Sequence, residues 1–99
     1  MTEFSTYFPN FKSLPVKIGG KTVNALIMAD LETISDKSKF IICINQSEID
    51  FEQNKDQGLG IIPTTPATIK QIDYEVLSGR LINDNPSINP FYQLELIKL

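Results

Sequence analysis

Apolar residues along this chain come in short runs separated by clusters of glycine, proline, asparagine, aspartate and serine. Within 22–28, Val23, Ala25 and Ile27 share one face of an extended chain, with Thr22, Asn24, Leu26 and Met28 opposite. Within 91–99, Tyr92, Leu94 and Leu96 share a face against Gln93 and Glu95. A period of two is that of a strand, whose successive side chains point to opposite sides. Residues 39–45 (KFIICIN) are nearly continuous in apolar and β-branched side chains, which suits a strand covered on both faces. Gly19-Gly20 lies between the β-prone runs 15–18 and 21–28 and predicts a tight hairpin, because glycine reaches the positive φ that a two-residue turn needs. Further strands are expected at 31–34, 67–70 and 74–82, with Gly79 marking a bulge or bend in the last. Turn chemistry at 35–38, 71–73 and 83–87 separates them. The prediction is an all-β, mainly antiparallel fold, a small β-barrel or sandwich of about six to seven short strands. Its core is expected to hold Val23, Ile27, Phe40, Ile42, Ile44, Ile69, Val76, Leu94 and Leu96.

Two segments depart from this pattern. Residues 1–14 carry Phe4, Tyr7, Phe8 and Phe11 without a clean period, and Pro9-Asn10 interrupts any helix. They read as a flexible N-terminal arm, leaving 15–99 as a single β domain. Residues 46–66 contain Gly58, Gly60, Pro63 and Pro66 and read as a long mobile loop. Ser47 followed three residues later by Asp50 resembles a capping box and leaves room for one short helix near 47–54. Ile49, Phe51, Leu59, Ile61 and Ile62 are too apolar for a plain linker. Large apolar side chains on poorly patterned segments point to a protein interface, where aromatics are favoured anchors. The candidate interface residues are Phe4, Tyr7, Phe8, Phe11, Ile49, Phe51, Ile61 and Ile62. The plainer reading is that the arm folds back on the domain's own core.

Composition narrows the chemistry. At 99 residues the chain is one domain. Nine basic against twelve acidic residues give a net charge of −3, which argues against binding nucleic acid through its phosphates. The single cysteine, Cys43, excludes an intrachain disulfide, and its place in the most apolar strand makes it a small buried hydrophobe. No basic stretch followed by an apolar one opens the chain, and no run of about 18 apolar residues occurs, so neither a signal peptide nor a membrane span is expected. Histidine is absent, which removes the commonest general base and metal ligand. Asp50 and Glu52 lack the spaced partners of a calcium loop. Gly19-Gly20-Lys21-Thr22 lacks the preceding glycine of a phosphate loop and is followed by a strand. Gly58-Leu59-Gly60 has no helix after it. No catalytic, cofactor or metal site is expected, and the chain reads as a non-enzyme.

The order of features resembles the small head–tail joining proteins of lambda-like tailed phages. The resemblance rests on the arm, the hairpin Ile18-Gly19-Gly20-Lys21-Thr22-Val23, the connector ending in Leu31-Glu32-Thr33-Ile34, and the apolar strand Phe40-Ile41-Ile42-Cys43-Ile44. A long loop follows, and the chain closes on Ala67-Thr68-Ile69-Lys70, Tyr74-Glu75-Val76-Leu77 and Tyr92-Gln93-Leu94-Glu95-Leu96. It covers residues 15–99 in order and rough spacing, with few identities. Where family members often carry a Gly-Asp pair before the strand matching 67–70, this chain has Pro63-Thr64-Thr65-Pro66. The resemblance implies a structural virion protein without cofactor. It would form a ring with other copies of itself, between portal or head-completion proteins and tail-tube or tail-terminator proteins. It implies a place in the virion, and in the host cytoplasm during assembly. It also implies no membrane and no specific nucleic-acid binding, although DNA would pass through the ring, where an acidic wall would not hold it.

The residues alone leave other classes open. A small non-enzymatic phage or bacterial protein that binds and inhibits a host protein would have the same acidity and the same lack of catalytic groups. An enzyme using carboxylates alone would need sites that are missing here. An oligonucleotide-binding barrel would have a similar strand count but needs a basic aromatic face.

Overall fold

The computed structural model describes residue 8 and residues 10–18, 20–48 and 65–99. The expected mobility of 1–14 and 46–66, and the helix near 47–54, fall largely outside these residues; residues 46–48 form a turn. Among the described residues there are six strands: β1 (Lys12–Ile18), β2 (Lys21–Met28), β3 (Lys39–Asn45), β4 (Pro66–Ile69), β5 (Ile72–Ile82) and β6 (Phe91–Lys98). All pairings are antiparallel, and the strands close into a barrel in the order β1-β2-β3-β6-β5-β4. The fold is therefore all-β and antiparallel, as the alternation predicts, and of the two expected architectures it is the barrel.

Antiparallel pairing sorts the connections between the two ends of the barrel. The β1–β2 turn, the end of β3, the start of β4 and the connection 83–90 share one end. The start of β1, the segment 29–38, the turn at 70–71 and the C-terminus share the other. β3 and β4 lie three places apart in a ring of six, so residues 46–65 link opposite walls.

The inner face follows from the period of two. Val23, Ala25 and Ile27 of β2, and Tyr92, Leu94 and Leu96 of β6, are buried together with Phe40, Ile42 and Ile44 of β3. Phe40 and Tyr74 meet edge to face inside the barrel, with ring centroids 5.3 Å apart at 83°. Val16, Ile18 and Ala67 complete the wall where β1 meets β4, which is the seam that closes the barrel.

Ile18 pairs with Lys21 across the glycine turn, and Gly20 has φ +81°. That register also explains Pro15. In a two-residue hairpin the flanking residues exchange hydrogen bonds, so alternation turns the backbone of Pro15 away from β2. Proline has no N–H to offer there, and β4 reaches only as far as Val16, so no ladder bond is lost.

Three local expectations are corrected. Residues 31–34 form no strand. Asp30 instead organises a turn, its carboxylate accepting from the Glu32 N–H at 3.1 Å and its carbonyl from the Thr33 N–H at 3.2 Å. β1 begins at Lys12, opposite Ile27, so the last three residues assigned to the arm belong to the barrel. The irregularity in β5 lies between Val76 and Ser78, and Gly79 pairs regularly with Leu94. The extra residue, Leu77, shifts the alternation. Tyr74 and Val76 point inward before it, and Leu81 packs on the same core after it.

The turn between β4 and β5 stores strain. Ile69 pairs with Ile72, leaving Lys70 and Gln71 as a two-residue loop with φ +51° and +67°. Both sit in the left-handed region, which costs a residue with a β-carbon about 1–2 kcal/mol. Replacing Lys70→Asn and Gln71→Gly together installs the pair this turn prefers. The double variant is expected to gain about 1–2 kcal/mol, raising the melting temperature by roughly 4–8 °C per kcal/mol. An unchanged or lower melting temperature would contradict the turn geometry.

Candidate interaction surfaces

The outer wall of β2 and β3 is apolar. Leu26 and Cys43, paired across the two strands, are buried on the outside of the barrel. Half-buried Met28, Ile41 and Phe91 surround them, with Ile88 from the β5–β6 connection and Phe8 from the arm. Ile88 is held by a turn in which Asn85 accepts the Ser87 N–H through its side chain at 2.9 Å and the Ile88 N–H through its carbonyl at 3.1 Å. Phe8 is followed by a turn, the Phe11 N–H donating to the Phe8 carbonyl at 3.2 Å.

Of the eight residues expected at an interface, Phe8 and Phe11 are described. Phe8 lies on the protein's own outer wall, as the plainer reading of the arm expects. Phe11 stands 40% exposed at the end of the barrel where β1 begins. Phe4, Tyr7, Ile49, Phe51, Ile61 and Ile62 lie outside the described residues. The structure thus places Phe8 and Phe11 on different surfaces.

The outer-wall residues Leu26, Met28, Ile41, Ile88 and Phe91 were not singled out by sequence reasoning as a surface. A signal for them exists. Ala25-Leu26-Ile27-Met28, like Phe40-Ile41-Ile42-Cys43-Ile44, is an apolar run without alternation, and such a run requires cover on both faces.

A gap between the upper halves of β2 and β3 is bridged by a side chain. These strands pair only through Leu26–Cys43, Ile27–Ile42 and Met28–Ile41. Above them the Asn24 N–H donates to the Glu48 carboxylate at 3.1 Å. At the other end, the Lys37 N–H donates to the Lys98 carbonyl at 2.8 Å, and the Lys98 N–H to the Ser38 carbonyl at 3.0 Å. The Lys98 ammonium donates to the Ile34 carbonyl at 3.1 Å and lies 3.8 Å from the Asp36 carboxylate. These contacts fix the segment 29–38 against the end of the barrel.

Among the described residues no group of three or more cysteine, aspartate or glutamate side chains could hold a metal ion. Cys43 is the chain's single thiol, and it is buried. Its Sγ lies 3.9 Å from the Met28 sulfur, and burial pushes the thiol from 9.0 up to about 11. Such a shift lowers the thiolate fraction at pH 8 by roughly 100-fold. The native protein should therefore react with a thiol reagent at least that much more slowly than the urea-unfolded chain; equal rates would show that Cys43 is accessible. The folded state also keeps the Cys43 proton to higher pH than the unfolded chain does, so stability is expected to fall as pH rises from 9 towards 11. Burial raises Tyr74 as well, which acts in the same direction above pH 10.

No protein-family model matches this chain, and no curated protein or solved structure matches it.

Among the described residues no helix is long and apolar enough to cross a membrane. The surfaces described here offer contact chemistry: an apolar outer wall with an arm residue laid on it, and an exposed aromatic at the barrel end.

Proposed function

We propose that this protein is a non-enzymatic structural subunit of a tailed-phage virion, joining the head to the tail as one of several copies in a ring. The observation that carries this reading is the apolar outer wall of β2 and β3, with Phe8 resting on it. A small barrel normally presents polar side chains outward; here Leu26 and Cys43 are buried on the outside and Met28, Ile41, Ile88 and Phe91 are half-buried around them, and that half-exposed apolar rim suits a subunit whose outside meets other proteins. The resemblance in strand order to head–tail joining proteins supplies the assembly. In it, neighbouring copies meet side by side, head-completion proteins lie on one end and tail proteins on the other. The net charge of −3 is compatible with DNA passing a ring that does not retain it. The test is complementation. In the phage that encodes this chain, loss of the gene should leave filled heads and finished tails unjoined, and supplying the protein should restore joined particles. A normal yield of infectious particles without the protein would overturn the reading.

A further inference from the structure

The barrel end opposite the glycine hairpin carries a notch. β4 pairs with β1 only from Val16 to Ile18, whereas β1 begins at Lys12. The tight turn at Lys70 and Gln71 returns the chain into β5 at that height. On the side facing away from β2, residues 12–15 therefore pair with no strand among the described residues. Beside that edge, at the end of the barrel, a cleft of about 440 Å³ opens between the start of β1 and the segment that follows β2. Leu14, Ile27 and Leu31 give it an apolar lining. Lys12 and Lys70 stand on the β1–β4 side, and Asp30 and Glu32 stand past the end of β2. None of the four charges is in an ion pair among the described residues. The Asp30 carboxylate already accepts the Glu32 N–H.

We propose that this notch is a docking cleft for an extended peptide segment of a partner protein, carrying one large apolar side chain flanked by an acidic and a basic residue. Three features select that occupant. The volume lies within the range of binding clefts, roughly 300–1,000 Å³, and its apolar lining suits one large side chain. The rim is dipolar, so a carboxylate fits beside Lys12 and Lys70 while an ammonium fits beside Glu32. A ligand of a single charge would meet repulsion on one side. The backbone supplies the extended conformation. By the alternation that turns Pro15 away from β2, Ser13 also turns its N–H and C=O towards the notch, where an added strand would pair with them. Pro15, lacking an N–H, confines that pairing to the lower part of β1 and sets the segment's register. The proposal does not depend on the head–tail reading.

The test is a titration of the full-length ¹⁵N-labelled protein with the blocked peptide Ser-Glu-Phe-Lys-Ser. Three controls accompany it: Ser-Glu-Ala-Lys-Ser, Ser-Glu-Phe-Glu-Ser and Ser-Lys-Phe-Lys-Ser. Amide shifts should be confined to Ser13, Leu14, Ile27, Leu31, Lys70 and their neighbours. Affinity should fall at least about tenfold when phenylalanine becomes alanine, and severalfold for either like-charged peptide. In the double variant Lys12→Glu, Lys70→Glu the rim is wholly acidic, and the ranking should reverse in favour of Ser-Lys-Phe-Lys-Ser. Shifts elsewhere, no shifts, or equal affinity for all four peptides on the parent protein would overturn the proposal whether or not the double variant folds. An unchanged ranking on a folded double variant would overturn it too.

Discussion

Replacing Ile42→Asp is expected to abolish folding. Ile42 lies at 0% exposure on the inner face of β3, opposite Leu94 on one side and Ile27 on the other. No charged residue is buried among the described residues, so no cation inside the barrel is placed to compensate a carboxylate there. An uncompensated buried charge costs about 3–5 kcal/mol or more, and the lost isoleucine packing adds about 2–5 kcal/mol. A small domain has about 5–15 kcal/mol of stability in total, and this one belongs to the lower part of that range on size alone. The neighbouring Ile41→Asp is the control. Its side chain is half-buried on the outer wall, where water reaches the carboxylate, so that variant should fold with reduced stability. Amide dispersion and thermal melting followed by circular dichroism distinguish the two. A parent-like melt for Ile42→Asp would mean that β3 presents its other face to the core.

If the proposed head–tail function holds, removing residues 2–7 is expected to leave the barrel folded and to abolish head–tail joining, lowering the yield of infectious particles by orders of magnitude. The cut stops at residue 7 for a structural reason. Phe8 covers Leu26 and Cys43 on the outer wall, and β1 begins at Lys12 opposite Ile27. A deletion through residue 12 would take both and would test stability as well as assembly. The shorter deletion removes Phe4 and Tyr7 while keeping every contact described for the barrel. Assembly contacts tend to concentrate in a few aromatic anchors, which is why a short deletion should have so large an effect. Phe8→Ala tests the packing of the arm on the barrel by itself. It should cost the barrel about 3 kcal/mol at most, through lost packing on Leu26. A normal particle yield with residues 2–7 removed would sink the assembly role of that segment. Loss of folding would show instead that it completes the protein's own core.

What could be read from the chain was whatever depends on near neighbours. The inner face of β2 follows from Val23, Ala25 and Ile27 at every second position, and that of β6 from Tyr92, Leu94 and Leu96. The hairpin follows from Gly19-Gly20, and the burial of Cys43 from the apolar run around it. Where local chemistry competed with the pattern, reading failed. Leu31 and Ile34 are spaced like part of a strand, but Asp30 captures the following backbone N–H groups and turns the chain. Gly79 has the composition of a bulge, yet the extra residue is Leu77. The bulge answers a need set elsewhere, that Leu81 face the same core as Val76.

By itself the sequence determined the strand periods, the glycine turn, the choice of core side chains and the absence of histidine chemistry. These are properties of a residue and those within a few positions of it. Only the tertiary structure decided that β4 closes on β1, that β6 lies between β3 and β5, that Leu26 and Cys43 share an apolar outer wall, and that a notch opens beside Lys12 and Lys70. Backbone N–H and C=O groups are the same on every strand, so hydrogen bonding does not choose partners by itself. The choice falls to barrel closure and connection length, which join residues far apart in the chain, and the surfaces on which other proteins would act arise from that choice.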